Sequence, residues 1–108
     1  MNVQAPREFL DRRQLVTALR ALRRGDFSVR MPEDSDEVDA EIAALFNEVV
    51  SLNEDMAQEF ERLSQVVGKE GKINQRGRVK NARGGWETAI SSVNDLIEDM
   101  VQPTAEVA

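Results

Sequence analysis

From Gly68 to Trp86 the chain reads GKEGKINQRGRVKNARGGW, and its residue types raise the question of phosphate or nucleic-acid chemistry. The stretch holds five of the six glycines and six basic residues against one acid, Glu70, in a chain of net charge −6. Glycines beside lysines suit a phosphate cradle, because backbone without Cβ can turn its N–H groups toward an anion. The order here is wrong for that. No GxxxxGK[ST] and no GxGxxG occurs, and no strand pattern precedes the stretch. A basic RNA-binding loop would want aromatic stacking partners, but the nearest aromatic, Trp86, falls on a helical seam. The remainder of the chain sums to −11, which opposes the approach of a polyanion. A solvated connector between helices is therefore expected, with RNA binding as the weaker alternative.

Other chemistry is equally sparse. The sequence has no histidine and no cysteine, which removes the commonest general base, the commonest metal ligand, any disulfide and any thiolate site. Asp34, Asp36, Glu37 and Asp39 invite a cation-loop reading. They lack the central glycine and the later glutamate of an EF-hand, so they read as a helix-capping cluster. Ser64, Ser91 and Ser92 have no visible base, so nucleophilic catalysis is unsupported. Met31, Met56 and Met100 sit at core spacing and read as core filling. No catalytic residue, metal, cofactor or small-molecule substrate is expected, and the protein is not read as an enzyme.

The elements that position these residues are helices. Apolar residues at Val38, Ile42, Leu45, Val49, Leu52 and Met56 recur at alternating spacings of four and three. This is a heptad seam with β-branched residues at a and leucine at d, a pattern that favours two parallel strands. The seam continues through Phe60, Leu63 and Val67, and two successive four-residue steps at Met56 form a stutter. No glycine or proline interrupts Glu37 to Val67, so one helix of about 45 Å is expected there. Upstream, Leu15, Val16, Leu19 and Leu22 share one side of a shorter helix that Gly25 should terminate. Pro32 forbids helix at Met31. Downstream, Trp86, Ile90, Val93, Ile97 and Met100 form a further seam. The N-terminal residues MNVQAPREFLDRR show no signal-peptide core, and no apolar run approaches the roughly 18 residues of a membrane span. A cytoplasmic location is expected.

The chain thus reads helix, connector, helix, and then the same again. Gly25 and Phe27 correspond to Gly71 and Ile73, 46 residues apart, and the pair Phe46-Asn47 corresponds to Val93-Asn94, 47 apart. A first repeat is placed at 12–58 and a second, divergent one at 59–101. Residues 102–108 are read as the start of a further helix or a linker.

This arrangement resembles a HAMP domain, the linker module of sensor kinases and chemoreceptors. In the first repeat the resemblance rests on Gly25, Phe27 and Met31 in GDFSVRM, on Asp36 and Glu37 in DEVD, and on Phe46-Asn47. The family's D-E-x-G glycine is Asp39 here. The second repeat is similar to the divergent units of long arrays in soluble hybrid kinases. Its connector turns at Gly71, and Gly77 stands where the second anchor belongs, so Val79 is the substitute expected. The resemblance implies an all-α fold in which two copies form a parallel four-helix coiled-coil bundle, with two units stacked end to end on a shared helix. It implies connectors anchored by Phe27, Met31, Ile73 and Val79, with Gly25, Asp36, Glu37 and Gly71 at turns and caps. The core would comprise Leu15, Leu19, Leu22, Ile42, Leu45, Val49, Leu52, Met56, Phe60, Leu63, Val67, Trp86, Ile90, Val93, Ile97 and Met100. It also implies a function: relay of a helix displacement to an output domain. The partners would be a second copy and the flanking sensor and kinase or receptor domains, with no nucleic acid. A passive dimerisation scaffold is the alternative.

Overall fold

The computed structural model of the protein describes the backbone of residues 9–107 and the side chains of residues 9–100. Among the described residues the chain is helical and has no strand: α1 (Arg12–Arg23), α2 (Glu37–Leu63), a π-helical turn (Ser64–Lys69) and α3 (Gly85–Val107). The first eight residues of the N-terminal segment, residue 108 and the side chain of Pro103 lie outside the described residues. The backbone of residues 102–107 continues α3. The chain divides into two compact units, Met1–Glu54 and Asp55–Ala108, and the division falls within α2.

In the first unit, α1 starts where the Asp11 carboxylate accepts hydrogen bonds from the Arg13 and Gln14 amides at 3.0 and 3.1 Å. Those amides would otherwise be orphan donors of the first turn. The helix ends in a Schellman closure: Asp26 N–H donates to Ala21 C=O and Gly25 N–H to Leu22 C=O. Gly25 takes φ +88 to make it, a conformation a Cβ would oppose. Asp26 then forms an Asx turn, accepting from the Ser28 amide and hydroxyl. The chain enters α2 at Glu37, whose φ is +50. Asp39 accepts the Leu10 amide at 3.0 Å and ties the segment before α1 to the start of α2. The core of this unit is Met31 from the connector against Ala18 and Ala43, flanked by Leu10, Leu15 and Phe46.

In the second unit the helix expected to run regularly to Val67 changes pitch. It is α-helical to Leu63 and π-helical from Ser64 to Lys69. Its closing bonds are wider than those of α1. Lys72 N–H reaches back six residues to Val66 C=O, where Asp26 reaches back five, and Gly71 N–H reaches four to Val67 C=O, where Gly25 reaches three. The reason lies in the count of residues. Ala18 and Leu63 occupy equivalent places 45 apart, whereas Gly25 and Gly71 are 46 apart. One extra residue must be absorbed between them, and a π turn does so without breaking the helix. The core here gathers Leu63, Val67 and Ile97, with Val66 and Val93 half-buried beside them.

Candidate functional site

The element common to both units is the seat that holds the connector on the helix following it. In the first unit, Asn47 on α2 grips Met31 from both sides. Its carboxamide oxygen accepts the Met31 amide at 2.7 Å, and its Nδ2 donates to the Met31 carbonyl at 2.8 Å. The same Nδ2 donates to Glu33. Only one orientation of the carboxamide satisfies this pattern. In the second unit, Asn94 on α3 does the same to Gly77: its oxygen accepts the amide at 2.6 Å and its Nδ2 donates to the carbonyl at 3.1 Å. Met31 is 2% exposed and Gly77 is buried, so these main-chain groups have little access to water.

The two seats divide their volume in opposite ways. In the first, a large connector side chain, Met31, meets two small helix residues, Ala18 and Ala43. In the second, the connector residue is Gly77 and the helices supply bulk. A Cβ placed on Gly77 would lie 2.8 Å from Leu63 Cδ1 and 3.8 Å from Ile90 Cδ1. Leu63 and Ile90 occupy the places of Ala18 and Ala43. The space that Met31 fills from the connector is thus filled from the helices in the second unit. Val79, half-buried, lines a cleft with Glu59, Arg62 and Arg78 instead.

An arginine next to each seat residue repeats the correspondence. Arg30 Nη1 donates to the carbonyls of Phe27 and Val29 at 3.0 and 2.7 Å, and Nη2 pairs with Glu54 on α2 at 2.9 Å. Arg76 Nη1 donates to the carbonyls of Ile73 and Gln75 at 2.9 and 2.7 Å, and Nη2 pairs with Glu98 on α3. The second connector has one further tie. Glu59 accepts Arg62 through both oxygens at 2.9 Å and the Arg78 amide at 2.7 Å. Arg62 also donates to the Arg76 carbonyl. The hydrogen bond from Arg62, and secondarily that from the Arg78 amide, hold the Glu59 carboxyl below its ordinary value of 4.5 against the opposing effect of burial. The Asp26 carboxyl is likewise lowered, by the Ser28 hydroxyl and then the Ser28 amide.

The seam residues separate by face. On α2, Ala43 and Val50 are wholly enclosed, whereas Ile42, Leu45 and Val49 are 38, 53 and 48% exposed. On α1, Leu15 and Leu22 are half-buried, and Val16 and Leu19 are nearly half exposed. In the second unit, Met56, Leu63, Val67, Ile90 and Ile97 are buried. Trp86 and Val93 are half-buried there, as Leu52 is in the first unit, and Phe60, Leu96 and Met100 are exposed. A groove of about 300 Å³ opens here between Phe60 and Val67 on one side and Val93 and Met100 on the other. Of the connector anchors, Met31 is enclosed, Phe27 half-buried and Ile73 39% exposed.

Sequence reading placed the asparagines only as part of a pair and did not assign Ala18, Ala43, Arg30 or Arg76. A signal was present: each arginine directly precedes a seat residue, and the two copies are 46 apart. Among the described residues no cluster of three or more potential metal ligands occurs, and no helix is long and apolar enough to cross a membrane. The arrangement offers helix packing and connector docking as its chemistry. Compared with protein-family models and with solved structures, the chain matches none.

Proposed function

We propose that the protein is a dimerising helical relay of the HAMP type. One observation carries this: each unit leaves an unpartnered apolar face contributed by two helices at heptad spacing. In the first unit that face comprises Val16 and Leu19 on α1 with Ile42, Leu45 and Val49 on α2. Contiguous apolar surface of this kind marks an association site. A second parallel copy supplies the same face again, so that each unit gains four helices around one core. The relay reading adds that α2 belongs to both units, whose connector seats differ in volume. Close-packed layers answer volume differences by discrete shifts. A change in the first unit's core would therefore reach flanking sensor and kinase or receptor domains through helix displacement. No substrate, cofactor or nucleic acid takes part, and two of the second connector's cations are already engaged, Lys72 with Glu70 and Arg76 with Glu98.

The test is the solution mass at micromolar concentration, together with disulfide formation by Leu45→Cys. The cysteine is the only one in the chain and should link to its own copy across a parallel axis. A monomeric mass would defeat the proposal. To separate relay from passive scaffold, cross-linking rates at Val93→Cys, Leu96→Cys and Met100→Cys, half-buried or exposed positions of α3, are compared with and without Leu19→Ala. An unchanged pattern over several first-unit core substitutions leaves only a scaffold.

A further inference from the structure

We propose that Arg30 and Arg76 are releasable ionic clasps that hold each connector against the helix after it. The two units build the same device from different surroundings. In each, one guanidinium nitrogen gathers two connector carbonyls three residues and one residue earlier, and the other nitrogen holds a carboxylate on the following helix. The flanking connector residues differ, Phe27 and Val29 against Ile73 and Gln75. The shared pattern therefore follows from the arginine and its placement, not from a common local sequence. A lysine could not replace it, because the contact uses the fixed fork of guanidinium donors.

The two clasps differ in one respect. Glu54 lies seven residues after the seat asparagine Asn47, and Glu98 lies four residues after Asn94. On a helix rising ~1.5 Å per residue, the acid of the second unit is about 4.5 Å nearer its seat. Residues four and seven past a helix position share its face, so either place suits a connector arginine.

Asparagine and arginine take different parts. The asparagine bonds to the main chain are neutral and partly buried, so ionic screening affects them little. The clasps are exposed: the arginine and glutamate side chains are 38 and 35% accessible in the first unit and 36 and 51% in the second. Exposed ion pairs contribute little and are screened by salt. Each connector thus combines a permanent clamp with a weak, ionic clasp, which is the part that opens first.

The inference concerns the connectors alone and holds whether the chain acts singly or as two copies, so it can fail independently of the relay reading. The test is amide hydrogen exchange by NMR on the full chain, read at Met31 and Gly77. Arg30→Gln and Glu54→Gln should each speed exchange at Met31 by about two- to fivefold, consistent with an exposed pair, and leave Gly77 unchanged. Arg76→Gln should do the reverse. Raising NaCl from 0.05 to 1 M should speed Met31 exchange in the wild type but not in Arg30→Gln. Moving the acid one turn, with Ser51→Glu added to Glu54→Ser, should restore protection, since residue 51 lies four past Asn47 as Glu98 lies four past Asn94. Unchanged exchange in the arginine variants would overturn the clasp. Failure of Ser51→Glu to restore protection would overturn the equivalence of the two acid positions.

Discussion

Asn47→Ala removes the side chain that satisfies both main-chain groups of Met31, and its cost can be built from the geometry. The variant loses the 2.7 Å bond to the Met31 amide and the 2.8 Å bond to its carbonyl, at a residue 2% exposed. A buried donor or acceptor left without a partner costs about 1–3 kcal/mol, and a carbonyl with a second lone pair tolerates this better than an amide. The bond to Glu33 is exposed and adds little. The expected loss is therefore about 2–4 kcal/mol, taking the amide in full and the carbonyl in part. At about 4–8 °C per kcal/mol for a unit of this size, the melting temperature should fall by about 8–30 °C. The assay is urea and thermal unfolding followed by circular dichroism, at one fixed protein concentration because any self-association would add to stability. Asn47→Asp sharpens the reasoning. It keeps an acceptor for the Met31 amide but turns a carboxylate toward the Met31 carbonyl and the Glu33 carboxylate. This variant should be destabilised at neutral pH and partly recover as the pH falls, when protonation restores a donor. A loss below about 0.5 kcal/mol for Asn47→Ala, the level of an ordinary surface change, would refute the claim that the amide carries the seat.

Three further outcomes are expected. Gly77→Ala should destabilise by about 1–2 kcal/mol, because overpacking costs about 1–3 and the stiffer unfolded chain returns up to about 1; combined with Leu63→Val the loss should fall short of the sum by at least about 0.5, and strict additivity in a double-mutant cycle would show no contact between them. Acid should loosen the second connector through Glu59: its folded-state pKa lies below 4.5, so its contribution is present above that value and is lost as the pH falls through the lowered pKa. Fluorescence of Trp86, the sole tryptophan, should report that step, and Glu59→Gln should flatten it. Phe27 is half-buried, so Phe27→Ala should cost about 2 kcal/mol, roughly half the value for an enclosed phenylalanine, while Ser28→Ala stays close to wild type apart from the Asp26 hydrogen bond; equal unfolding midpoints would show that Phe27 does not dock.

Helical character was written in the sequence by itself, because a period of 3.5 to 3.6 residues is a property of local spacing. So was the position of Gly25 and Gly71, since a left-handed residue beyond a helix end has a strong chemical preference. The internal correspondence of the two halves was also visible, down to the extra residue between Gly71 and Asn94. The tertiary structure decided which apolar residues face their own chain. Within the single chain Ile42, Leu45 and Val49 are exposed, and Ala43 and Val50 are the enclosed positions. Periodicity registers hydrophobicity, and alanine carries almost none of that signal although its small size is what admits Met31. The π turn was illegible for a related reason: pattern counts residues but does not say where the surplus one is absorbed. The asparagine clamps and arginine clasps act across 16 to 24 residues of chain. A polar side chain carries no mark of a distant partner, so only the fold that brings connector and helix together gives Asn47, Asn94, Arg30 and Arg76 their roles.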